Sequence, residues 1–218
     1  LGTVQSDTMS YAWEGTRAFE STGKVDSFRV VAGLYAESVQ LVTMDPNIKT
    51  PADLKGKAVS IGAPGSGVYF NAIDVLNAAG LTENDISAQY QSFADSADAL
   101  KDGKIDAAFV VAGAPTPAIT ELCTTNSAYL VPIDGAVADA MMASCPFYTT
   151  YQIPAGTYPG QDEDVTTVTV KATLIVSASA SEDDVYKLTA AIFDNAADIA
   201  KENGKGAELS LENATTGM

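Results

Sequence analysis

The stretch IGAPGSGVYFNAIDVLNAAGL, residues Ile61 to Leu81, decides the fold class. A strand ends, a glycine-rich turn follows and a helix begins, which is the order of a strand–loop–helix unit. The spacing of Gly62 and Gly67 fits the phosphate-binding P-loop, but Val68 and Tyr69 stand where that motif needs a lysine and a serine or threonine. The stretch therefore predicts a loop that approaches an anion, and it excludes a P-loop nucleotide site.

Outward from this stretch, apolar strand patterns alternate with helix patterns. The predicted strands are residues 1–4, 28–32, 39–44, 58–61, 90–93, 105–112 and 165–177. The predicted helices are residues 8–19, 66–79, 96–101, a segment from 118 and 181–202, with Asp7, Asp95 and Ser181 as caps. Residues 128–164 are rich in proline and predict mostly loop. This alternation is typical of an α/β protein with a parallel sheet covered on both faces.

Amino-acid composition excludes several classes of protein and partner. The chain has 218 residues, of which 46% are apolar and 18% charged, so it is globular rather than disordered. The 12 basic and 28 acidic residues give a net charge of −16, which argues against nucleic acid and anionic membranes as partners. No apolar run approaches the ~18–20 residues of a membrane span, so none is predicted.

The residue types present exclude several kinds of site. Histidine is absent, which excludes Ser-His-Asp and Cys-His catalysis and imidazole-bound zinc in these residues. Cys123 and Cys145 are too few for a four-ligand cluster, and their spacing leaves a disulfide and two buried thiols equally open. We therefore predict no metal site and no cofactor.

Candidate ligand residues lie where predicted strands end, because ligands of open α/β sheets bind outside the carboxyl ends of strands. Four such ends lead into small, polar or proline-containing loops. The candidates are Gln5, Ser6, Tyr35, Glu37, Gly65, Ser66, Gly67, Gly113 and Thr116. One loop of this kind can be a plain connection, but four in one chain favour a binding site.

The loop from Gly65 to Gly67 carries the clearest chemistry. Glycine lets the backbone approach a ligand closely, and the helix that follows offers unpaired N–H groups to a carboxylate or phosphate. Hydrogen bonds to a charged acceptor, at about 1.5–3 kcal/mol each, outweigh an exposed helix-dipole effect of about 0.3–1 kcal/mol. A tight turn without a ligand is the alternative.

The remaining candidates have weaker assignments. Glu37 suits a ligand's ammonium group and Tyr35 suits its carbon chain, although a solvated glutamate and a half-buried tyrosine explain the same residues. We expect neither Arg17 nor Arg29 to clamp the ligand, because one lies within a helix and the other at the amino end of its strand.

A series of motifs along the chain resembles the TAXI family, the extracytoplasmic solute receptors of TRAP transporters. They are VQSD at residues 4–7, GLYAESVQLV at 33–42, PADLKGKAVSIGAPGSG at 51–67, FADSADALKDGKIDAAFVVAGAPTPAI at 93–119 and LSLENA at 209–214. Val68 departs from the family, whose members commonly have threonine there. Members also begin with a signal sequence and a glycine-rich strand–helix unit and end with a histidine-containing segment, so the chain resembles a piece that lacks both ends.

The resemblance implies a two-lobed periplasmic-binding-protein fold of type II with hinge-linked lobes. One lobe would comprise residues 1–43 and 173–218 and the other residues 44–172, closing on the ligand between them. The implied ligands are small carboxylates: glutamate, glutamine, or a dicarboxylate such as 2-oxoglutarate.

The resemblance also implies partners and a location. The partners are the membrane permease subunits of a TRAP transporter. The location is periplasmic or otherwise extracytoplasmic, where a lipid anchor is compatible and where Cys123 and Cys145 would form a disulfide. Two other functions stay open: a ligand-binding sensory domain of a larger receptor and, disfavoured because no nucleophile–base pair is visible, an enzyme on the same scaffold.

Overall fold

The computed structural model describes residues 1–216 of the chain and contains two compact units. The first unit comprises Leu1–Glu37 and Val170–Met218, and the second comprises Ser38–Thr169. Two strands run from one unit into the other: β2 (Phe28–Thr43) and β8 (Val165–Ser177). No helix within residues 1–216 combines the length and apolar character that a bilayer crossing requires.

The first unit combines antiparallel strands with three α-helices. Its elements are β1 (Gly2–Gln5), α1 (Ser6–Glu14), the first part of β2, the last part of β8, α6 (Glu182–Asp194) and α7 (Ala196–Glu202). The strand order is β1-β8-β2, and β1 pairs antiparallel with β8. Helix α6 begins as predicted, because the Ser181 hydroxyl accepts a hydrogen bond from the Asp184 N–H at 3.1 Å.

The second unit contains the parallel part of the sheet. Its elements are the rest of β2, β3 (Ala58–Ser60), α2 (Gly67–Ala78), β4 (Ser87–Gln89), α3 (Phe93–Lys101), β5 (Ala107–Ala112), α4 (Pro117–Thr125), β6 (Tyr129–Val131), α5 (Gly135–Ser144), β7 (Thr149–Ile153) and the start of β8. Strand β3 is parallel to β4 and to β5. Strand β2 is antiparallel to β5, and Ser38 lies opposite Ala112.

The hydrophobic core of the second unit lies between this sheet and its helices. Its fully or almost fully buried members include Val39, Leu41, Val59, Ile61, Leu76, Phe109, Ile119, Ile133 and Met141. The sheet is mixed, because β6 also pairs antiparallel with β2, and β7 with β8. The predicted α/β class is therefore correct, but the fully parallel sheet is wrong.

The largest departure from the predicted elements is β2. A loop at residues 33–38 was expected, but the structure has one strand of 16 residues. Gly33 lies within this strand and leaves room for a side chain, because a Cβ added there would lie 2.5 Å from Lys171 Cδ. Tyr35 and Glu37 are therefore strand residues rather than loop residues.

Several predicted boundaries also shift. Strand β4 ends at Gln89, and α3 begins after Ser92, whose hydroxyl caps it in place of Asp95. Helix α1 follows Gln5 without the predicted Asp7 cap, since Asp7 lies in its first turn. The predicted loop at 128–164 contains β6, α5 and β7, and the last predicted helix is interrupted at Asn195.

Candidate functional site

The second unit brings three helix starts to one edge of its sheet. Strands β3, β4 and β5 are parallel, so the segments that follow them leave at the same side, and α2, α3 and α4 begin there. Strand β2 runs the opposite way and has Ser38 at this side, opposite Ala112 at the end of β5. We call this side the carboxyl edge. It is where ligands of open α/β sheets bind.

The turn that leads into α2 depends on two glycines. Gly62 has a φ of 78°, and a Cβ added there would lie 2.9 Å from Val68 Cβ, so no other residue fits without strain. Gly65 has a φ of 77°, but a Cβ there would meet no atom within 4 Å. The first glycine is therefore needed for close packing, whereas the backbone at the second faces open space.

The first turn of α2 leaves hydrogen-bond donors available. The Ser66 hydroxyl caps the helix by accepting from the Tyr69 N–H at 3.2 Å, and the Phe70 N–H donates to the Ser66 carbonyl. The N–H groups of Gly67 and Val68 precede the first intrahelical bond and have no intrahelical acceptor. The first turn contains no acidic residue. These two amides and the Ser66 hydroxyl proton can therefore bind an anion.

The starts of α3 and α4 have fewer donors to offer to an external anion than the start of α2. In α3 the Ser92 hydroxyl donates to Asp95 Oδ2 at 2.6 Å, so a carboxylate of the protein itself lies at that helix start. Helix α4 begins at Pro117, which has no N–H, after the buried Thr116. The start of α2 has neither an internal carboxylate, as α3 has, nor a proline in place of an amide donor, as α4 has.

Thr116 was predicted as a ligand contact, but internal hydrogen bonds engage its polar groups. Its N–H donates to the Tyr158 hydroxyl at 2.9 Å, and its own hydroxyl donates to the Gly113 carbonyl at 3.0 Å. The Gln40 amide donates to the same threonine hydroxyl at 3.0 Å, while Tyr158 donates to Gln40 Oε1 at 2.5 Å. Thr116 and Gly113 thus hold the loop in place, and a ligand contact for either stays a prediction.

No lysine or arginine of the second unit lies near the carboxyl edge. Its basic residues are Lys49, Lys55, Lys57, Lys101 and Lys104, all in segments that lead into β3 or β5 from the opposite side. Three of them form ion pairs with carboxylates there: Lys57 with Asp45, Lys101 with Asp98 and Glu121, and Lys104 with Asp102. Within this unit, the groups at the carboxyl edge that can attract an anion are therefore backbone amides, helix dipoles and hydroxyl groups such as that of Ser66.

In the first unit the structure brings together Gln5 and Glu37. Burial raises the pKa of Glu37, the hydrogen bond from the Gln5 side chain lowers it, and the charge of Asp7 raises it. Burial also raises the pKa of Tyr35, to which the charges of Glu37 and Glu208 add. The ammonium contact predicted for Glu37 stays a prediction.

Ser6 has a structural role in the same unit. It is the first residue of α1 and is fully buried, and its hydroxyl accepts from the Lys171 N–H at 3.2 Å. The serine therefore links α1 to β8 by a hydrogen bond. Its predicted contact with a ligand stays a prediction.

Sequence reasoning missed two carboxylates near these residues. Asp7 is fully buried and accepts from the Thr8 N–H at 2.7 Å. Glu208 accepts from the Ala36 N–H at 2.7 Å and from Lys205 Nζ at 2.5 Å. Asp7 could have been found from its place after a predicted strand, but nothing local marks Glu208. Within residues 1–216, no group of three or more such side chains is arranged to hold a metal ion.

Within residues 1–216, no disulfide joins the two cysteines. Cys123 lies on α4 and is partly buried, and Cys145 follows α5 and is buried. The disulfide implied by an extracytoplasmic location is therefore wrong for this structure. Burial raises the pKa of the Cys123 thiol, which keeps it protonated and unreactive at neutral pH.

Comparison with known proteins gives one family and a set of similar folds. Residues 1–218 match the NMT1-like family. The structure is similar to the periplasmic aliphatic sulphonate binding protein SsuA of Escherichia coli, with a TM-score of 0.52 and 16% identity over 94% of this chain and 55% of that one. A protein of Bordetella bronchiseptica RB50 gives a TM-score of 0.54 and 20% identity over 91% of this chain and 57% of that one.

A third match is a putative L-cystine ABC transporter protein of Listeria monocytogenes. Its TM-score is 0.50 and its identity 17%, over 93% of this chain and 71% of that one. At these identities the matches establish the fold, which is the predicted periplasmic-binding-protein type II fold. The chain spans little more than half the length of the first two proteins.

Proposed function

Because this chain belongs to the NMT1-like family, we propose that it is a solute-binding receptor that captures a small carboxylate. In finer detail, we propose that it is a TAXI-type receptor that delivers its ligand to the permease subunits of a TRAP transporter. The motifs at residues 33–42, 51–67 and 93–119 support this assignment. An extracytoplasmic location and the absence of catalysis belong to the same proposal.

The observation that carries the proposal is the start of α2. It has a serine cap, no acid in its first turn, and open space where a Cβ of residue 65 would lie. Two amide N–H groups that bind a carboxylate contribute about 3–6 kcal/mol together. Micromolar affinity requires about 8 kcal/mol, so contacts to the rest of the ligand must supply the remainder.

The two compact units correspond in this proposal to the two lobes of the receptor. The unit boundaries fall after Glu37 and after Thr169. The expected boundaries were after residues 43 and 172, which lie on the same two strands, β2 and β8. The hinge in these strands and the closure on a ligand stay predictions.

The test is a thermal-shift panel followed by calorimetry. L-glutamate, L-glutamine, 2-oxoglutarate and succinate are the candidate ligands, with an alkanesulfonate as a competing anion and choline as a cationic control. At about 100 times Kd a ligand stabilises the protein by ~2.7 kcal/mol. For a chain of this size that energy raises Tm by about 5–11 °C.

Two results would contradict the proposal. One is the absence of a shift with all the acids, and the other is consumption of a bound acid, which would indicate an enzyme. A shift with the sulfonate alone would replace the carboxylate by a sulfonate. Native mass spectrometry of protein purified from cells gives an independent answer through any small acid that co-purifies.

A further inference from the structure

Ser38 is a buried residue whose hydroxyl forms no hydrogen bond within residues 1–216. Its exposed fraction is 0%. An unpaired hydroxyl in the interior is destabilising, and most buried polar side chains have a partner. A hydrogen-bond partner from outside the chain, such as a ligand, would remove this destabilisation.

The place of Ser38 on its strand shows where such a partner would lie. Ser38 and Gln40 are two residues apart on β2, so their side chains point to the same face. The Gln40 amide contacts the Thr116 hydroxyl, just before α4, at 3.0 Å. Ser38 itself lies opposite Ala112, the last residue of β5. The hydroxyl is thus at the carboxyl edge, on the side where α4 begins.

A second oxygen without a partner lies at the same edge. Gln91 follows β4 and precedes Ser92, the cap of α3, and its Oε1 is buried without a hydrogen-bond partner within residues 1–216. An amide oxygen can only accept a hydrogen bond, whereas a serine hydroxyl can accept or donate one. A carboxylate could pair with Ser38 but not with this oxygen, which requires an N–H or O–H donor.

We propose that Ser38 contacts the ligand directly and that, together with Gln91, it selects carboxylates that also carry a hydrogen-bond donor. The preferred ligands are then amino or hydroxy acids rather than plain diacids. This inference rests on the proposed function and deepens it. It names two binding residues outside the loop that precedes α2, and it assigns them to a different part of the ligand.

The test compares matched acids on Ser38→Ala. The pairs are L-glutamate with glutarate and L-malate with succinate, each differing by one donor group. Wild-type protein should bind the donor-bearing acid of at least one pair more tightly. For that acid the variant should have a Kd about ten- to a hundredfold higher, because a hydrogen bond from a buried partner is lost. Gln91→Leu should reduce the preference for the donor-bearing acid over its partner that wild-type protein shows.

The stability of the ligand-free protein separates a binding role from a structural one. Removing an unpaired buried hydroxyl should leave the Tm of Ser38→Ala unchanged or higher. The control is Thr43→Val on the same strand, whose hydroxyl donates to the Asp106 carbonyl at 2.6 Å. It should lower Tm and leave Kd unchanged.

The outcomes that overturn the inference differ from those that overturn the function. An unchanged Kd and an unchanged preference in Ser38→Ala reject the role of Ser38 while the protein still binds acids. A lower Tm with an unchanged Kd rejects it too and indicates a structural serine. If wild-type protein binds none of these four acids and also neither L-glutamine nor 2-oxoglutarate, the proposed function fails together with this inference.

Discussion

Gly67→Asp places a negative charge where the ligand's carboxylate is proposed to bind. Gly67 is the first residue of α2, so its backbone is helical and accepts a side chain. A carboxylate in the first turn of a helix stabilises that helix by about 0.3–1 kcal/mol. The variant should therefore fold at least as well as wild-type protein while it loses its ligand.

The magnitude follows from the charge separation. Two carboxylates about 4 Å apart at an effective dielectric constant of ~20 repel each other by about 4 kcal/mol. At about 1.4 kcal/mol for each factor of ten, the affinity should fall roughly a thousandfold. A micromolar Kd would become millimolar, beyond the range of direct titration.

The assay is isothermal titration calorimetry with the best acid from the panel, together with thermal unfolding of the ligand-free protein. Gly67→Asn is the matched control, because it has almost the same shape as aspartate without the charge. Aspartate should abolish binding, and asparagine should weaken it by no more than about tenfold, or ~1.4 kcal/mol. Equal affinity of both variants and wild-type protein would refute the assignment of the anion to α2.

Three further predictions concern other parts of the molecule. Thr116→Val removes the hydroxyl that contacts Gln40 and Gly113, so urea denaturation should show a loss of about 1–3 kcal/mol, with Thr116→Ser as the mild control. The raised pKa of Glu37 means that the folded protein holds this proton more tightly, so its contribution to stability is lost as pH rises from the usual glutamate range through the raised pKa. Glu37→Gln should therefore have a higher Tm than wild-type protein at neutral pH, and the difference should vanish in acid; the same difference at all pH values would exclude this origin. Denatured, unreduced protein should titrate with two thiols, and a count of zero would show that the two cysteines form a disulfide after all.

The parts of the structure that were predicted correctly depend on neighbouring residues. The turn before α2 follows from glycines at 62 and 65 with a serine at 66, and the start of α6 follows from Ser181 and Asp184. Caps and tight turns involve residues within about one helical turn of each other, so their spacing is visible in the sequence. The strand–helix alternation that predicts the α/β class is local in the same way.

The candidate site was predictable only in part, because several roles depend on distant residues. Thr116 looked like a ligand contact, yet its partners are Gln40 and Tyr158, which are 76 and 42 residues away. Residues 33–38 separate two predicted strands, yet they belong to one strand, in which Gly33 leaves room for the Lys171 side chain. No local pattern shows that a polar group is already paired with a distant one.

The sequence by itself determined that this chain is an α/β protein with a glycine-rich loop that leads into a helix start, since strand length, glycine φ and helix caps are set by adjacent residues. Only the tertiary structure decided which polar groups remain available to a ligand. Ser38 is an ordinary strand serine until β2 and β5 pair and bury it. The physical reason is that burial and hydrogen-bond pairing are properties of contacts between distant segments, and those contacts exist only in the folded chain.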